Sequence, residues 1–259
     1  MNTKNRSEFH VSVPIAQLSD SPTSDASCTS EALYGERITL LETQNKWGLV
    51  RQFHDGYEGF LKLDYLDTNT PNNPLLSKPT HWVSQRSTLL FQQPDFKSSI
   101  AHRIPFSSEL SLTAIADSAF SETACGYFVW TEHCLTLEQK HLLGPINLAR
   151  SMFLGAPYRW GGRSPEGADC SGLIQLLARS QGLSIPRDSR DQESFIKQQV
   201  LVGDHQALDI VYWPGHTGLL LDNDSLLHAT AYSLSCIVEP LKDVIRRAGP
   251  VSSVRRLFT

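Results

Sequence analysis

The chain has 259 residues, of which 40% are hydrophobic and 19% are charged, and its formal net charge is −4. This composition supplies enough apolar side chains for packed cores, so it excludes wholesale disorder, collagen and coiled coil. A weakly acidic chain lacks the basic surface of a nucleic-acid-binding protein, and no apolar run approaches the roughly 18 residues that a membrane helix needs. We therefore expect a globular protein of one to three domains without a nucleic-acid or membrane partner.

The first half of the chain has the short, alternating apolar runs that are typical of β-strands. We predict a small all-β domain over residues 11–68, with a turn at Asp55-Gly56. Residues 67–79 are rich in proline and asparagine and predict a linker. Weaker apolar runs continue beyond it, and they predict a second, divergent β domain over residues 80–136.

The pattern changes near Leu137, where apolar residues begin to recur at helical spacing. This spacing predicts a helix that ends at Gly155-Ala156-Pro157, followed by a second apolar helix that ends at Gly182. Three strand candidates come next, at residues 207–213, 217–221 and 226–230. We predict an α+β domain over residues 137–259.

The odd number of cysteines and the lack of a Cys-x-x-Cys pair favour free thiols in a reducing compartment. The five are Cys28, Cys125, Cys134, Cys170 and Cys236. Cys170 directly precedes the second predicted helix, where unpaired backbone N–H groups and the helix dipole favour a thiolate nucleophile. An isolated cysteine at a helix start is also commonly just a small core residue, so the residues near Cys170 must decide between these two interpretations. The other four lack this context, and we expect them to be structural or incidental.

Two histidines supply those partners. His216 opens one predicted strand and His228 lies in the next, with the turn signal Asp222-Asn223-Asp224 between them. A hairpin centred near residue 222 makes the two histidines cross-strand or diagonal neighbours. A cysteine nucleophile needs a base and a group that orients the base. We predict that His216 accepts the thiol proton and that His228 fixes the ring of His216.

These residues belong to motifs that resemble those of a known family. The segments Tyr158-Arg159-Trp160-Gly161-Gly162, Asp169-Cys170-Ser171-Gly172-Leu173, Gly215-His216-Thr217-Gly218 and His228-Ala229 resemble the NlpC/P60 cysteine peptidases. Residues 31–36, Trp47 and residues 55–60 resemble a bacterial SH3 (SH3b) domain. With Pro186-Arg187-Asp188-Ser189, the chain resembles the γ-D-glutamyl-L-diamino acid endopeptidases, also called dipeptidyl-peptidase VI.

The resemblance implies an α+β protein in which a C-terminal papain-like NlpC/P60 domain is preceded by two small all-β SH3b-like barrels. It implies a cysteine endopeptidase that hydrolyses the γ-D-Glu–diamino acid bond of peptidoglycan peptides with a free N-terminal L-Ala. That activity belongs to murein recycling. No metal or organic cofactor is implied, and the partner is a peptidoglycan-derived peptide.

The resemblance also implies roles for three residues near the nucleophile. Tyr158 would line the site and donate a hydrogen bond to the tetrahedral intermediate. Asp169 and Ser171 flank Cys170 and would shape the dipeptide pocket. Backbone N–H groups near Cys170 would contribute to the oxyanion hole.

A second group of residues would recognise the amino end of the substrate. Asp188 and Ser189 would bind it, and Glu36 and Tyr57 of the first SH3b domain would join them, with Glu31 as an alternative to Glu36. A free ammonium requires carboxylates, since a buried charge must be paired. These carboxylates would reject an N-acylated peptide, because the acyl group would clash with the pocket and the carboxylates would lose the ammonium that pairs with them.

Three alternatives remain open from the sequence. They are a broader NlpC/P60 wall hydrolase, a γ-glutamyl amide acyltransferase, and an SH3b wall-peptide-binding protein with vestigial catalysis. The sequence does not distinguish lysine from diaminopimelate in the substrate. The polar start at residues 1–6 leads into no apolar segment, from which we expect a cytoplasmic location. We expect a monomer, although nothing in the sequence tests its oligomeric state.

Overall fold

The computed structural model describes residues 7–67, 78–115, 119–201 and 203–258. The chain divides into two compact units, Met1–Lys140 and His141–Thr259. Most of the predicted linker at residues 67–79, and the polar start at residues 1–6, lie outside the described residues. The boundaries of the three predicted domains stay predictions.

The first part of the N-terminal unit is an antiparallel sheet of six strands in the order β1-β4-β5-β6-β2-β3. Its strands are β1 (Ser7–His10), β2 (Ile15–Ser19), β3 (Cys28–Leu33), β4 (Arg37–Gln44), β5 (Trp47–Gln52) and β6 (Glu58–Lys62). Burial alternates along β5 with period two, as expected when one face of a strand covers a core. Leu18, Ile38, Val50 and Leu61 form that core with their neighbours.

The rest of this unit has a three-stranded sheet, β10-β7-β14, and a five-stranded sheet, β11-β12-β13-β8-β9. Its strands are β7 (His81–Val83), β8 (Ser87–Phe91), β9 (Ile100–Pro105), β10 (Glu109–Leu110), β11 (Leu112–Ile115), β12 (Phe120–Thr123), β13 (Phe128–Trp130) and β14 (Cys134–Thr136). Single-turn 3₁₀ helices occupy Leu63–Tyr65 and Thr131–His133. Val83, Leu90, Ile104 and Val129 form its core, and Tyr34 from the first part packs among them.

The C-terminal unit combines helices with a six-stranded sheet in the order β17-β22-β18-β19-β20-β21. The helices are α1 (Pro145–Leu148), α2 (Cys170–Ser180), α3 (Ser189–Phe195) and α4 (Leu241–Ala248). The strands are β15 (Arg163–Ser164), β16 (Gly167–Ala168), β17 (Gln199–Val200), β18 (Asp209–Trp213), β19 (His216–Leu220), β20 (Ser225–Thr230), β21 (Ser235–Pro240) and β22 (Ser253–Arg256). An all-β N-terminal region followed by this mixed unit confirms the predicted fold class.

The helical segment predicted after Leu137 is present but is irregular. It consists of a 3₁₀ helix at Leu137–Leu143, the single α-turn α1 and a π-helical stretch at Ala149–Phe153. The chain then turns at Gly155, whose φ of 78° favours glycine. α2 has the predicted position and is almost completely buried, which explains its apolar sequence.

The β19–β20 hairpin has the arrangement that the turn arithmetic predicted. Leu219 pairs with Leu227 and Leu220 with Leu226. Continuing this register places His228 opposite Gly218 and makes His216 its diagonal neighbour. A Cβ atom on Gly218 would lie 3.0 Å from the Cβ atom of His228, so glycine leaves room for the histidine.

Across the described ranges, no helix is long and apolar enough to cross a membrane.

Candidate active site

Cys170 is the first residue of α2, the position that the sequence predicted for a nucleophile. The helix begins there because Asp169 is its N-cap, with a carboxylate that accepts the backbone N–H of Gly172 at 2.7 Å. Cys170 is 8% exposed, and it is one of five free thiols. The cap and the burial together hold the thiol in a defined place.

The protonation of Cys170 depends on two opposing effects. Burial raises the pKa of the thiol to about 11, and the nearby charge of Asp169 acts in the same direction. Hydrogen bonds from the backbone N–H groups of Thr217 and Ser171 lower it. Burial outweighs the helix start, so Cys170 is a thiol at rest and needs a base.

The two predicted histidines lie together. Nε2 of His216 lies 2.7 Å from Nδ1 of His228, and the His228 ring is fully buried. Burial lowers the pKa of His216 to about 4, and the charges of His228 and Arg247 lower it further than Glu239 raises it. His216 is therefore a neutral imidazole at neutral pH. Its Nε2 atom faces His228, and its Nδ1 atom points away from His228.

Two residues that the sequence analysis did not select extend this pair. Nε2 of His228 lies 3.0 Å from Oε1 of Glu239 in β21. Arg247 in α4 donates to both carboxylate oxygens of Glu239, at 2.9 and 2.8 Å. Glu239 lies diagonally across from His228, because β21 pairs Glu239 with Leu226. A hairpin register for β20 and β21, worked out as it was for the two histidines, could have predicted that Glu239 lies near His228.

Another arginine that was not predicted as a site residue supports the start of α2. Arg187 is 2% exposed and binds both carboxylate oxygens of Asp169, at 3.0 and 2.6 Å. Its Nη1 atom also donates to the Ser171 hydroxyl at 2.9 Å, and that hydroxyl donates to Asp169. Asp169 accepts the backbone N–H of Gly161 as well. The two predicted pocket residues, Asp169 and Ser171, thus belong to a buried network next to Cys170.

Tyr158 lies close enough to Cys170 for their charges to interact. Burial raises the pKa of Tyr158 to about 12, with smaller contributions from Cys170 and Asp169. Its backbone N–H donates to the carbonyl of Leu234 at 2.9 Å. At neutral pH the phenol is protonated, so it is available as a hydrogen-bond donor.

Comparison with known proteins identifies a domain in each unit of the chain. Residues 155–246 match the model of the NlpC/P60 family, and residues 18–66 match the bacterial dipeptidyl-peptidase Sh3 domain. The C-terminal unit is an NlpC/P60 domain. The chain as a whole is a cysteine peptidase, a hydrolase, with an SH3 domain on its N-terminal side.

Two relatives align with most of this chain. "Dipeptidyl-peptidase 6" of Lysinibacillus sphaericus is 29% identical over 83% of this chain and 85% of its own length. "Gamma-D-glutamyl-L-lysine dipeptidyl-peptidase" of Bacillus subtilis is 26% identical over 89% of this chain and 81% of its own. An NlpC/P60 crystal structure from Bacillus cereus has the same fold, with a TM-score of 0.82, 20% identity, and coverage of 96% of this chain and 99% of that one.

The glycines of the NlpC/P60 motifs allow close packing of backbone. A Cβ atom on Gly172 would lie 2.2 Å from the carbonyl oxygen of Gly162, and one on Gly162 would lie 2.4 Å from that of Gly167. The sequence left open whether Gly161 and Gly162 serve packing or substrate approach. For Gly162 the structure shows packing against the start of α2.

Asp188 and Ser189 lie at the start of α3, with Asp188 as its N-cap residue. Asp188 is exposed and Ser189 is half-buried. Gln192 of the same helix is buried, and its side-chain amide donates to the carbonyls of Ser171 and Pro186 at 3.0 and 2.9 Å. This contact fixes the segment that carries Asp188 relative to the residue after Cys170.

Glu36, Tyr57 and Glu31 belong to the N-terminal unit. Glu36 is 1% exposed, and its carboxylate accepts the backbone N–H of Leu33 at 3.0 Å. Glu31 is fully buried. Tyr57 packs at the edge of the first β core, and its backbone N–H donates to Asp55. Their predicted part in substrate recognition stays a prediction.

Proposed function

We propose that this peptidase hydrolyses the amide bond between γ-D-glutamate and a diamino acid in peptidoglycan peptides that have a free N-terminal L-Ala. The observation that supports this most directly is the buried thiol at the start of α2 together with the His216–His228 contact of 2.7 Å. The substrate class is supported by the names of the two relatives, which align over more than four-fifths of this chain.

In the first half of the reaction, Cys170 attacks the γ-carbonyl carbon of D-glutamate. The thiol proton passes to Nδ1 of His216, the ring nitrogen that does not contact His228. The tetrahedral intermediate collapses, and the C–N bond breaks. The amine of the diamino acid leaves with the proton from His216, and a thioester remains on Cys170.

In the second half, water replaces the amine. His216 takes a proton from the water, and the hydroxide oxygen attacks the thioester carbon. The C–S bond then breaks, L-Ala-γ-D-Glu is released, and the thiol of Cys170 recovers its proton. The pair begins and ends neutral, which agrees with the raised pKa of Cys170 and the lowered pKa of His216.

The charge that develops on the carbonyl oxygen needs hydrogen-bond donors. Backbone N–H groups at the start of α2 supply them at a helix N-terminus, where the dipole favours negative charge. The protonated phenol of Tyr158 is a further donor. We propose that these groups form the oxyanion site.

Selection of a free amino terminus would limit the enzyme to peptides that have already been released from the glycan, because L-Ala is acylated in the intact wall. This restriction suits the recycling of wall fragments in the cytoplasm. Asp188 and Ser189 are proposed to bind the ammonium, with exposed Asp188 supplying negative charge.

The test is the cleavage of L-Ala-γ-D-Glu-L-Lys and L-Ala-γ-D-Glu-meso-diaminopimelate, with products identified by mass spectrometry. The same peptides with acetylated N-termini and the Cys170→Ala protein are run in parallel. Release of L-Ala-γ-D-Glu from the free peptides alone, and its loss in Cys170→Ala, is the expected result. Equal cleavage of acetylated peptides would reject the free-amine requirement and favour a broader wall hydrolase.

Failure to cleave any of the four peptides would contradict the proposed substrate. Added amines that appear in the products in place of water would indicate acyl transfer. The roles of the individual acidic residues are tested with Asp188→Asn and Glu36→Gln. Each is expected to raise KM for the free peptide more than it lowers kcat, and Tyr57→Phe is compared in the same assay.

A further inference from the structure

The carboxylate of Glu239 lies between two partners. Its Oε1 atom is 3.0 Å from Nε2 of His228 and 2.8 Å from Nη2 of Arg247, and its Oε2 atom accepts from Nη1 at 2.9 Å. Arg247 lies with its guanidinium carbon 4.0 Å from the centre of the Tyr232 ring. The paired guanidinium lowers the pKa of Glu239, so its side chain is a carboxylate that only accepts hydrogen bonds.

A carboxylate at this point decides which ring nitrogens carry protons. Nε2 of His228 must donate to Glu239, so the neutral ring has its lone pair on Nδ1. That lone pair faces Nε2 of His216 at 2.7 Å, so His216 must donate from Nε2. The lone pair of His216 is then on Nδ1, the position that must accept a proton from Cys170.

We propose that Glu239, held by Arg247, is a positioning residue that sets the tautomers of His228 and His216 for catalysis. Glu239 acts through His228 and touches neither substrate nor nucleophile in this role. The proposal rests on the cysteine-peptidase chemistry proposed above, but not on the identity of the peptide. A purely structural Glu239–Arg247 pair would join β21 to α4 without any effect on the tautomers.

Glutamine at position 239 is an informative replacement, because it has nearly the same shape and only one acceptor oxygen. If that oxygen faces His228, the amide N–H₂ faces a guanidinium N–H, which also donates. If the amide turns over, its N–H₂ faces Nε2 of His228 and favours the opposite tautomer in both rings. Either orientation weakens the preference for Nε2 protonation that the carboxylate imposes on His228 and His216.

The direct test is the measurement of both tautomers by long-range ¹H–¹⁵N correlation NMR on the reduced full-length protein at pH 7. We expect His216 and His228 to be protonated at Nε2, and Glu239→Gln to change the populations. Protonation of His216 at Nδ1 in the wild type would overturn the proposal. Unchanged tautomers in a folded Glu239→Gln protein would overturn it whatever the activity. No substrate is needed, so this result is independent of the proposed substrate.

Kinetics supply the second readout. Glu239→Gln is expected to lower kcat at least about tenfold with little change in KM, as expected for a residue that orients a base. The negative charge of Glu239 raises the pKa of His216, whereas His228 and Arg247 lower it. Its loss should therefore move the acidic limb of kcat/KM to lower pH. A change in tautomer without a fall in kcat would overturn the proposal.

Asp243→Asn is the matched control. Asp243 lies on the same helix as Arg247, but its carboxylate binds the exposed Arg246 and not Arg247 or His228. The substitution should leave kcat, the pH profile and the tautomers unchanged. Arg247→Met is the second variant in case Glu239→Gln does not fold. It removes the two donors that hold the carboxylate against His228, so the carboxylate can turn away, the preference for Nε2 protonation should weaken, and kcat should fall.

Discussion

Arg187 binds both carboxylate oxygens of Asp169, the residue whose side chain caps the helix that begins with Cys170. The Arg187 and Asp169 side chains are 1% and 10% exposed, so neither charge is well solvated. Removal of one partner from a buried pair leaves the other charge without compensation. The position of Cys170 therefore depends on a residue 17 positions further along the chain.

We expect Arg187→Met to lower the free energy of unfolding by about 3 kcal/mol, the usual cost of an unpaired buried charge. Urea denaturation followed by circular dichroism measures this loss. Arg190→Met is the control, because Arg190 is exposed on α3. If the two variants are equally stable, the Arg187–Asp169 contact does not support the helix start.

Gly172→Ala should destabilise the protein although alanine is the better helix former by about 1 kcal/mol. The added Cβ atom would lie 2.2 Å from the carbonyl oxygen of Gly162, which is backbone and can move only with its loop. We expect a net loss of about 2 kcal/mol and a large fall in kcat, since α2 begins at Cys170.

Gly126→Ala is compared with it by thermal denaturation and peptide cleavage. Gly126 has a φ of 77° in an open turn, so alanine there meets backbone strain but no neighbouring atom. It should lower stability modestly and leave kcat unchanged. Full activity in Gly172→Ala would show that the close approach of the two glycines is not required.

Tyr158→Phe tests the proposed oxyanion donor. Loss of one donor from such a site typically costs about 100-fold or more in kcat when the donor is well placed. We expect a fall of about tenfold to 100-fold in kcat, with a smaller change in KM. Tyr232→Phe is the control, because it keeps the ring that packs on Arg247 and removes only an exposed hydroxyl. Equal kcat in the two variants would assign the oxyanion to backbone groups alone.

Stability should fall as the pH drops from 6.5 to 4. The pKa of His216 is lowered from 6.5 to about 4 by burial, so the unfolded chain binds a proton in this range that the folded protein does not. Stability therefore rises with pH through this window and is lost in acid. Between pH 7 and pH 5 the contribution is about 2 kcal/mol.

Urea denaturation at pH 7 and pH 5 measures this contribution. The wild type should lose about 2 kcal/mol more than His216→Asn between the two pH values. His205→Asn, which removes a histidine outside the site, should behave as the wild type does. Parallel pH dependence in the wild type and His216→Asn would contradict a neutral, half-buried imidazole at position 216.

The main elements of the candidate site were accessible from local patterns. Apolar spacing predicted a helix after Cys170, and the turn at Asp222-Asn223-Asp224 predicted the diagonal relation of His216 and His228. Helix periodicity and hairpin register depend on a few neighbouring residues, so one sequence is enough to infer them.

The protonation state of Cys170 was not accessible in this way. A cysteine at a helix start predicted a thiolate, whereas burial raises the pKa of Cys170 to about 11. Desolvation depends on every element that packs around the thiol, and strand β19 is one of them, since the backbone N–H of Thr217 donates to the thiol. A pattern near one residue contains no information about that cover.

The sequence by itself determined the fold class and predicted the candidate nucleophile and the histidine pair, because each depends on periodicity, on a helix start or on the spacing of a turn. Only the tertiary structure decided that Arg187 holds Asp169 and that Arg247 of α4 holds the Glu239 carboxylate beside His228. Charged side chains of this kind look like solvated surface in a sequence. Their partners are set by where the loop before α3 and the helix α4 pack, and that packing is a property of the whole domain.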